Sequence, residues 1–146
     1  MRTLETHIDI HATPARIWSI LMDFGRYAEW NPFIPTMEGK PIVGTRLRAR
    51  LVPPGQKGMI FTPTVLAADS EREFRWIGKL LIRGLFDGEH SFKIESLGDR
   101  CRFHQSERFT GILVPLFAAL GLFAATERGF AAMNGALKQR AEAQAR

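Results

Sequence analysis

Residues 86–110 read FDGEHSFKIESLGDRCRFHQSERFT, two runs of strict alternation on either side of a turn at Gly98-Asp99. In the first run His90, Phe92 and Ile94 share one face, opposite Glu89, Ser91, Lys93 and Glu95. In the second, Cys101, Phe103, Gln105, Glu107 and Phe109 share a face, opposite Arg102, His104, Ser106 and Arg108. Successive side chains of a strand point to opposite sides, so a period of two marks a half-buried strand. The segment is predicted as a hairpin of two long antiparallel strands, apolar on one face and wet on the other. Three polar groups travel with the apolar face: His90, Gln105 and Glu107. A buried polar group without a partner costs on the order of several kcal/mol. These three are therefore expected to bond to one another, to water or to a ligand.

The same parity extends outward. In 72–80, Phe74, Trp76, Gly78 and Leu80 point in, and Glu73, Arg75 and Lys79 point out. In 45–52, Leu47, Ala49 and Leu51 point in, and Arg46, Arg48 and Arg50 form a basic outer stripe. Further strands are predicted near 36–42 and 58–69, with turns at Pro53-Pro54-Gly55 and Asp69-Ser70-Glu71. Residues 3–10 alternate as well, Leu4, Thr6, Ile8 and Ile10 sharing the inner face. Thr13-Pro14 then starts a helix, threonine as N-cap and proline in the first turn. Ile17, Trp18, Ile20, Leu21 and Phe24 form its apolar stripe, and a short helix covers 26–30 before Pro32. The last predicted element is a helix over 113–143. Leu116, Phe123, Phe130 and Leu137 recur every seven residues, and the stripe is widened by Leu120 and Met133. Its polar end, KQRAEAQAR, is expected to fray.

The expected architecture is α+β: about seven antiparallel strands in β-α-α-β6-α order, a curved sheet closed by one long helix. With 146 residues the whole chain, 1–146, is expected to form one domain around one core. Cys101 is the sole cysteine, which excludes an internal disulfide and suits a reducing cytoplasm. The first ten residues lack the apolar stretch of a signal peptide. The longest apolar run, Ile112–Ala125, is shorter than the ~20 residues of a spanning helix. The net charge of +5 is interleaved with acidic residues and follows no nucleic-acid-binding motif, so the arginine stripe reads as a solvated face. The histidines show no metal-ligand spacing and no glycine-rich loop suits a phosphate, so neither metal nor cofactor is expected. Gly55, Gly58 and Gly88 read as turn and bulge glycines. Tyr27, the sole tyrosine, reads as a packing residue rather than a phenol donor at a pocket entrance.

Several segments together resemble the START/Bet v 1-like superfamily, and within it the bacterial polyketide cyclase/dehydrase-like proteins. They are Thr13-Pro14-Ala15-Arg16-Ile17-Trp18, Trp30-Asn31-Pro32-Phe33, Phe74-Arg75-Trp76-Ile77-Gly78, Gly88-Glu89-His90-Ser91-Phe92 and Glu107-Arg108-Phe109-Thr110-Gly111. The resemblance covers essentially the whole chain and implies a helix-grip fold, with a cavity between sheet and C-terminal helix. Members bind lipids, sterols, quinones or polyketides, and some are cyclases. The matching segments are packing and turn signatures, and no catalytic set carries over residue by residue.

Three functions remain open at this point. The first is a binding or carrier protein for a small hydrophobic ligand. Its wall is expected from Trp30, Trp76, Gly78, His90, Phe92, Phe103, Gln105, Glu107, Phe109, Leu116, Leu120 and Phe123. The second is a metal-free cyclase/dehydratase using His90 and Glu107 for proton transfer, because a histidine and a carboxylate tune each other's protonation. The third is an interaction module like the Hsp90-activator relatives. The apolar 112–125 stretch is expected to serve as a cavity lid, a contact with a second copy, a membrane-touching surface or plain core.

Overall fold

The computed structural model describes residues 1–143. Its elements run β1 (Arg2–Ile10), α1 (Pro14–Met22), a 3-10 turn (Phe24–Arg26) and α2 (Tyr27–Trp30). Next come β2 (Thr36–Glu38), β3 (Arg48–Leu51), β4 (Met59–Phe61), β5 (Thr64–Asp69), β6 (Glu73–Lys79), β7 (Asp87–Ser96) and β8 (Cys101–Thr110). Two helices, α3 (Val114–Ala119) and α4 (Leu122–Ala143), close the chain.

The strands pair antiparallel in the order β1-β8-β7-β6-β5, with a second group β2-β3-β4. The expected strand over 58–69 divides at Thr62-Pro63, because proline has no N–H to give the ladder. The two groups still meet. Arg46 bridges Thr64 in the register that Ala49 and Phe61 set, and Leu47 N–H donates to the Pro63 carbonyl at 2.8 Å. A curved sheet thus wraps α4, the helix-grip architecture. The expected strand at 36–42 stops at Glu38, since Gly39 takes a φ of +118° and Pro41 follows.

The alternation places the core as expected. Phe74, Trp76, Phe92, Ile94, Phe103 and Phe109 are buried, as are Leu47 and Ala49. Arg48, Arg50 and Lys93 are exposed. Arg75 and Arg102, expected in open water, are half-buried because they lie along the outer face in ion pairs. Arg75 reaches Glu73 at 3.3 Å and Glu89 at 3.4 Å, and Arg102 reaches Asp9 at 2.8 Å. Ser91 also points outward yet is buried, capped by Glu73, whose Oε2 accepts its hydroxyl.

Thr13 caps α1 through its side chain, which accepts from Arg16 N–H at 3.1 Å. Tyr27 is fully buried and donates its hydroxyl to the Leu21 carbonyl, so it packs rather than guarding an entrance. Burial, with the nearby Asp23 charge, pushes that phenol far above its ordinary range. Burial also raises the Cys101 thiol, which keeps it a small core residue.

The single C-terminal helix of the sequence reading is two. Gly121 adopts a φ of +76° and ends α3, and α4 starts anew. Phe123, Phe130, Met133 and Leu137 remain the gripped stripe, but Leu116 and Leu120 are carried off it and are exposed. Within the described residues the end of α4 does not fray. Lys138 donates to the Asp9 carbonyl, Glu142 accepts from His11 N–H, and Arg140 pairs with Glu29.

These surface pairs give the stability a pH dependence. Asp9 is held well below the usual carboxylate range by its hydrogen bonds to Arg102 and Arg100. Glu29 is lowered by Arg140, and Glu142 by Lys138 and the His11 N–H. A carboxylate whose folded pKa lies below its unfolded one stabilises the fold above the unfolded value, about 4, and loses that contribution as pH falls. Urea midpoints are expected to be flat near neutrality and to fall below about pH 4, with a smaller fall in Asp9→Asn. An unchanged acid limb in that variant would remove Asp9 from the account.

Candidate functional site

Register sets the site. Within the central sheet Trp76 pairs with His90 and His90 with Glu107, all on the inner face. One step toward the α3 end of the sheet, Gly78 pairs with Gly88 and Gly88 with Phe109. Two facing glycines remove the side chains that would otherwise fill the sheet's concave side. A cavity of about 110 Å3 opens there. Its wall includes Phe33, Leu51, Phe61, Phe86, Phe109 and Leu122, with Glu107 as its carboxylate. Lys57, Lys79 and Gln56 also line it.

Gly88 lies inside a strand and is neither turn nor bulge. Its missing Cβ is the reason Glu107 fits, since a Cβ there would collide with Glu107 Oε2. Gly129 does the same for Phe33, whose ring lies where that glycine's Cβ would stand. The ring then meets Phe130 edge-on at 5.6 Å.

Behind the cavity wall a hydrogen-bond chain crosses the core. Thr6 donates its hydroxyl to the Gln105 carbonyl at 2.8 Å and so accepts from Asn134 Nδ2 at 2.9 Å. Asn134 Oδ1 then accepts from Gln105 Nε2 at 2.8 Å. This leaves Gln105 Oε1 facing His90 Nε2 at 3.0 Å. An amide oxygen there requires a proton on Nε2, so the network assigns the ring's state at that nitrogen. The other ring nitrogen, Nδ1, lies 3.1 Å from Glu107 Oε1. A hydrogen bond at that distance joins imidazole and carboxyl through one proton. His90 is completely buried, stacked on Trp76 at 4.9 Å and edge-on to Phe130 at 5.0 Å. Glu107 keeps a sliver of exposure toward the cavity. Chemically, the arrangement offers a carboxyl at an apolar surface with a fixed proton partner behind it.

Of the wall expected from sequence, Gly78, Glu107 and Phe109 line the cavity. His90 and Gln105 stand one layer back, joined to Glu107. Trp76, Phe92, Phe103 and Phe123 are packed core. Trp30 is half-buried against Tyr27 on the other side of the fold, and Leu116 and Leu120 face outward. Sequence reading missed Phe33, Leu51, Phe61, Phe86 and Leu122 as lining, and Asn134 as part of the network. Phe86 has the parity of Gly88 and His90, and Asn134 is a polar residue inside a buried helical stripe, so both carried a signal. Phe33 carried none: Asn31 places it by accepting the Phe33 and Ile34 N–H groups.

A profile described as "Polyketide cyclase / dehydrase and lipid transport" matches residues 1–142. Among solved structures, the Zhui aromatase/cyclase from Streptomyces sp. R1128 superposes with a TM-score of 0.80 at 20% identity, covering 99% of this chain and 96% of that one. A START superfamily protein from Mycobacterium smegmatis gives 0.70 at 22% identity, with 97% of each chain covered. Norcoclaurine synthase from Thalictrum, a point mutant in complex with a transition-state analogue, gives 0.73 at 18% identity, covering 99% and 96%. No curated protein matches the sequence. At these identities the superpositions establish the fold.

Proposed function

Since the chain belongs to the polyketide cyclase/dehydrase and lipid transport family, we propose that it binds a small hydrophobic ligand in the Gly78–Gly88 cavity, with Glu107 as the polar anchor. The observation that carries this reading is one carboxyl, Glu107, set into a mainly aromatic and aliphatic wall that also includes Gln56, Lys57, Lys79 and Thr126. Such a wall supplies affinity by removing apolar surface from water, roughly 25 cal/mol per Å2, while one polar group fixes orientation. The volume of about 110 Å3 suits one ring or the end of a chain, against the roughly 300–1,000 Å3 of drug-sized pockets. The rest of a longer lipid, quinone or polyketide-like molecule would lie outward past Lys57 and Lys79. A cytoplasmic setting goes with this reading, as Cys101 is a lone buried thiol.

An environment-sensitive naphthalene dye is expected to brighten with the protein and to be displaced by apolar ring compounds. Gly78→Phe puts a ring into the cavity, where only Pro63 lies near the added Cβ. It is expected to weaken dye binding at least about tenfold, the equivalent of roughly 1.4 kcal/mol, with the fold retained. Undiminished binding in that variant would place the dye elsewhere.

A cyclase/dehydratase activity is the second reading, favoured by the 3.1 Å His90–Glu107 contact. In it Glu107 takes a proton from a carbon next to a substrate carbonyl and returns it to the departing hydroxyl, with His90 holding the carboxyl's other oxygen. Glu107→Gln keeps the shape and removes the base, so kcat on a cyclising polyketide-like substrate is expected to drop by about 10²–10⁴-fold while dye binding persists. Equal turnover by both proteins would sink the enzymatic reading and leave the binding one standing.

A further inference from the structure

Three separate segments frame the cavity's outer end, and all three are apolar and free of carboxylates. Residues 53–62 contribute Met59, and their one charge is Lys57. Residues 79–86 contribute Leu81 and Ile82, with Lys79 and Arg83. Residues 111–126 contribute Ile112, Leu116 and Leu120 and carry no charge at all. The last two segments are laced together, Ile112 N–H donating to the Gly84 carbonyl at 3.2 Å and Leu113 N–H to Leu85 at 3.0 Å. Lys57, Met59, Lys79, Phe86 and Leu122 also line the cavity, so the same end holds its mouth.

The side chains here stand out rather than lie flat. Leu81 is 81% exposed, Ile112 77%, Leu120 70% and Ile82 66%. Leu81 even adopts a φ of +62°, a conformation a bulky residue seldom takes. The opposite end of the sheet differs. Its turns at 69–72 and 97–100 mix Asp69, Glu71 and Asp99 with Arg72 and Arg100, and carry no exposed large hydrophobic residue. Lys57, Lys79 and Arg83 are exposed, and among the described residues none of them pairs with a carboxylate.

We propose that this end of the molecule docks on an anionic lipid bilayer, with Leu81, Ile82, Ile112, Leu116 and Leu120 entering the interface and Lys57, Lys79 and Arg83 at headgroup level. Charge complementarity selects the occupant: a cation-only rim around apolar tips matches a negative surface backed by hydrocarbon. The apolar groups stand on projecting loops and a short helix, which suits insertion better than closure over a partner's helix. Among the described residues no helix is long and apolar enough to cross a membrane, so the contact is peripheral. Docking itself stands on the exposed surface alone. Its use, delivering a ligand between bilayer and cavity, rests on the binding function proposed above.

The test is co-sedimentation with vesicles of phosphatidylcholine alone and of an equal mixture with phosphatidylglycerol. Each surface cation is worth on the order of fivefold in binding to anionic lipid. Binding to the mixed vesicles is therefore expected to be about ten- to a hundredfold tighter and to weaken in high salt. The triple variant Leu81→Ser/Ile82→Ser/Ile112→Ser is expected to lose vesicle binding while its urea midpoint and cavity dye signal stay unchanged. Those last two readouts separate failure of docking from failure of the cavity reading. No sedimentation with either vesicle would overturn the proposal. So would a dimer in analytical ultracentrifugation that the triple variant dissolves, since the surface would then belong to a second copy.

Discussion

Phe130→Ala is expected to lower folding stability by about 3–5 kcal/mol. The ring is completely buried on α4, edge-on to Phe33 at 5.6 Å and to His90 at 5.0 Å. Alanine would remove the transfer free energy of the ring and leave a void that Phe33 and His90 are not free to collapse into. Phe33 is held by the Asn31 turn and by its seat on Gly129, while His90 is held at both ring nitrogens. The control is Leu116→Ala, on α3 ahead of the gripped stripe and exposed, expected within about 0.5 kcal/mol of the parent. Urea unfolding with unchanged slope reads both. A loss below about 1 kcal/mol for Phe130→Ala would mean that α4 is not gripped.

How much of the fold is legible in the sequence follows from what each sequence signal reports. Parity in a strand is strict, so 86–110 placed Phe92, Phe103, Gln105 and Glu107 on the inner face, and they are there. Parity says nothing of depth along the strand. Trp76 and Phe92 point inward like Gly78 and Glu107, yet they meet other rings instead of a void. The void follows from absent side chains, and the pairing of Gly78 with Gly88 emerges only when two strands are put in register. Heptad spacing is weaker than parity because one residue resets it. Gly121 could be seen, but its left-handed backbone, which turns Leu116 and Leu120 outward, is a property of the folded chain. The doubt about whether 112–125 is lid, core or contact is thereby answered in two halves. The residues before Gly121 are largely surface, and the α4 residues after it provide Phe123 and Ala125 to the interior.

The His90–Glu107 pair makes the second large prediction, and it bears directly on function. His90→Leu fills a similar volume but strips both hydrogen-bond partners from a fully buried position. Gln105 Oε1 would face a methyl group in place of the ring nitrogen, and Glu107 Oε1 would lose its imidazole partner. Breaking a buried pair from one side costs about 3–5 kcal/mol, chiefly because the survivor is left uncompensated. Adding Glu107→Leu removes that survivor, so the double variant should be more stable than the sum of the singles by roughly 1–3 kcal/mol. A full cycle, parent, two singles and the double, measures this coupling in urea. Coupling near zero would mean that Glu107 turns into the cavity and satisfies itself there, independent of His90. Strong coupling means that the carboxyl a ligand meets is held from behind by an imidazole whose far nitrogen is fixed through Gln105, Asn134 and Thr6. An anchor held in that way keeps one oxygen committed and presents the other, which lies over Gly88. Gly88→Ala should therefore disturb the pair without touching either residue: its Cβ pushes Glu107 off its seat, and the coupling measured in that background should fall toward zero.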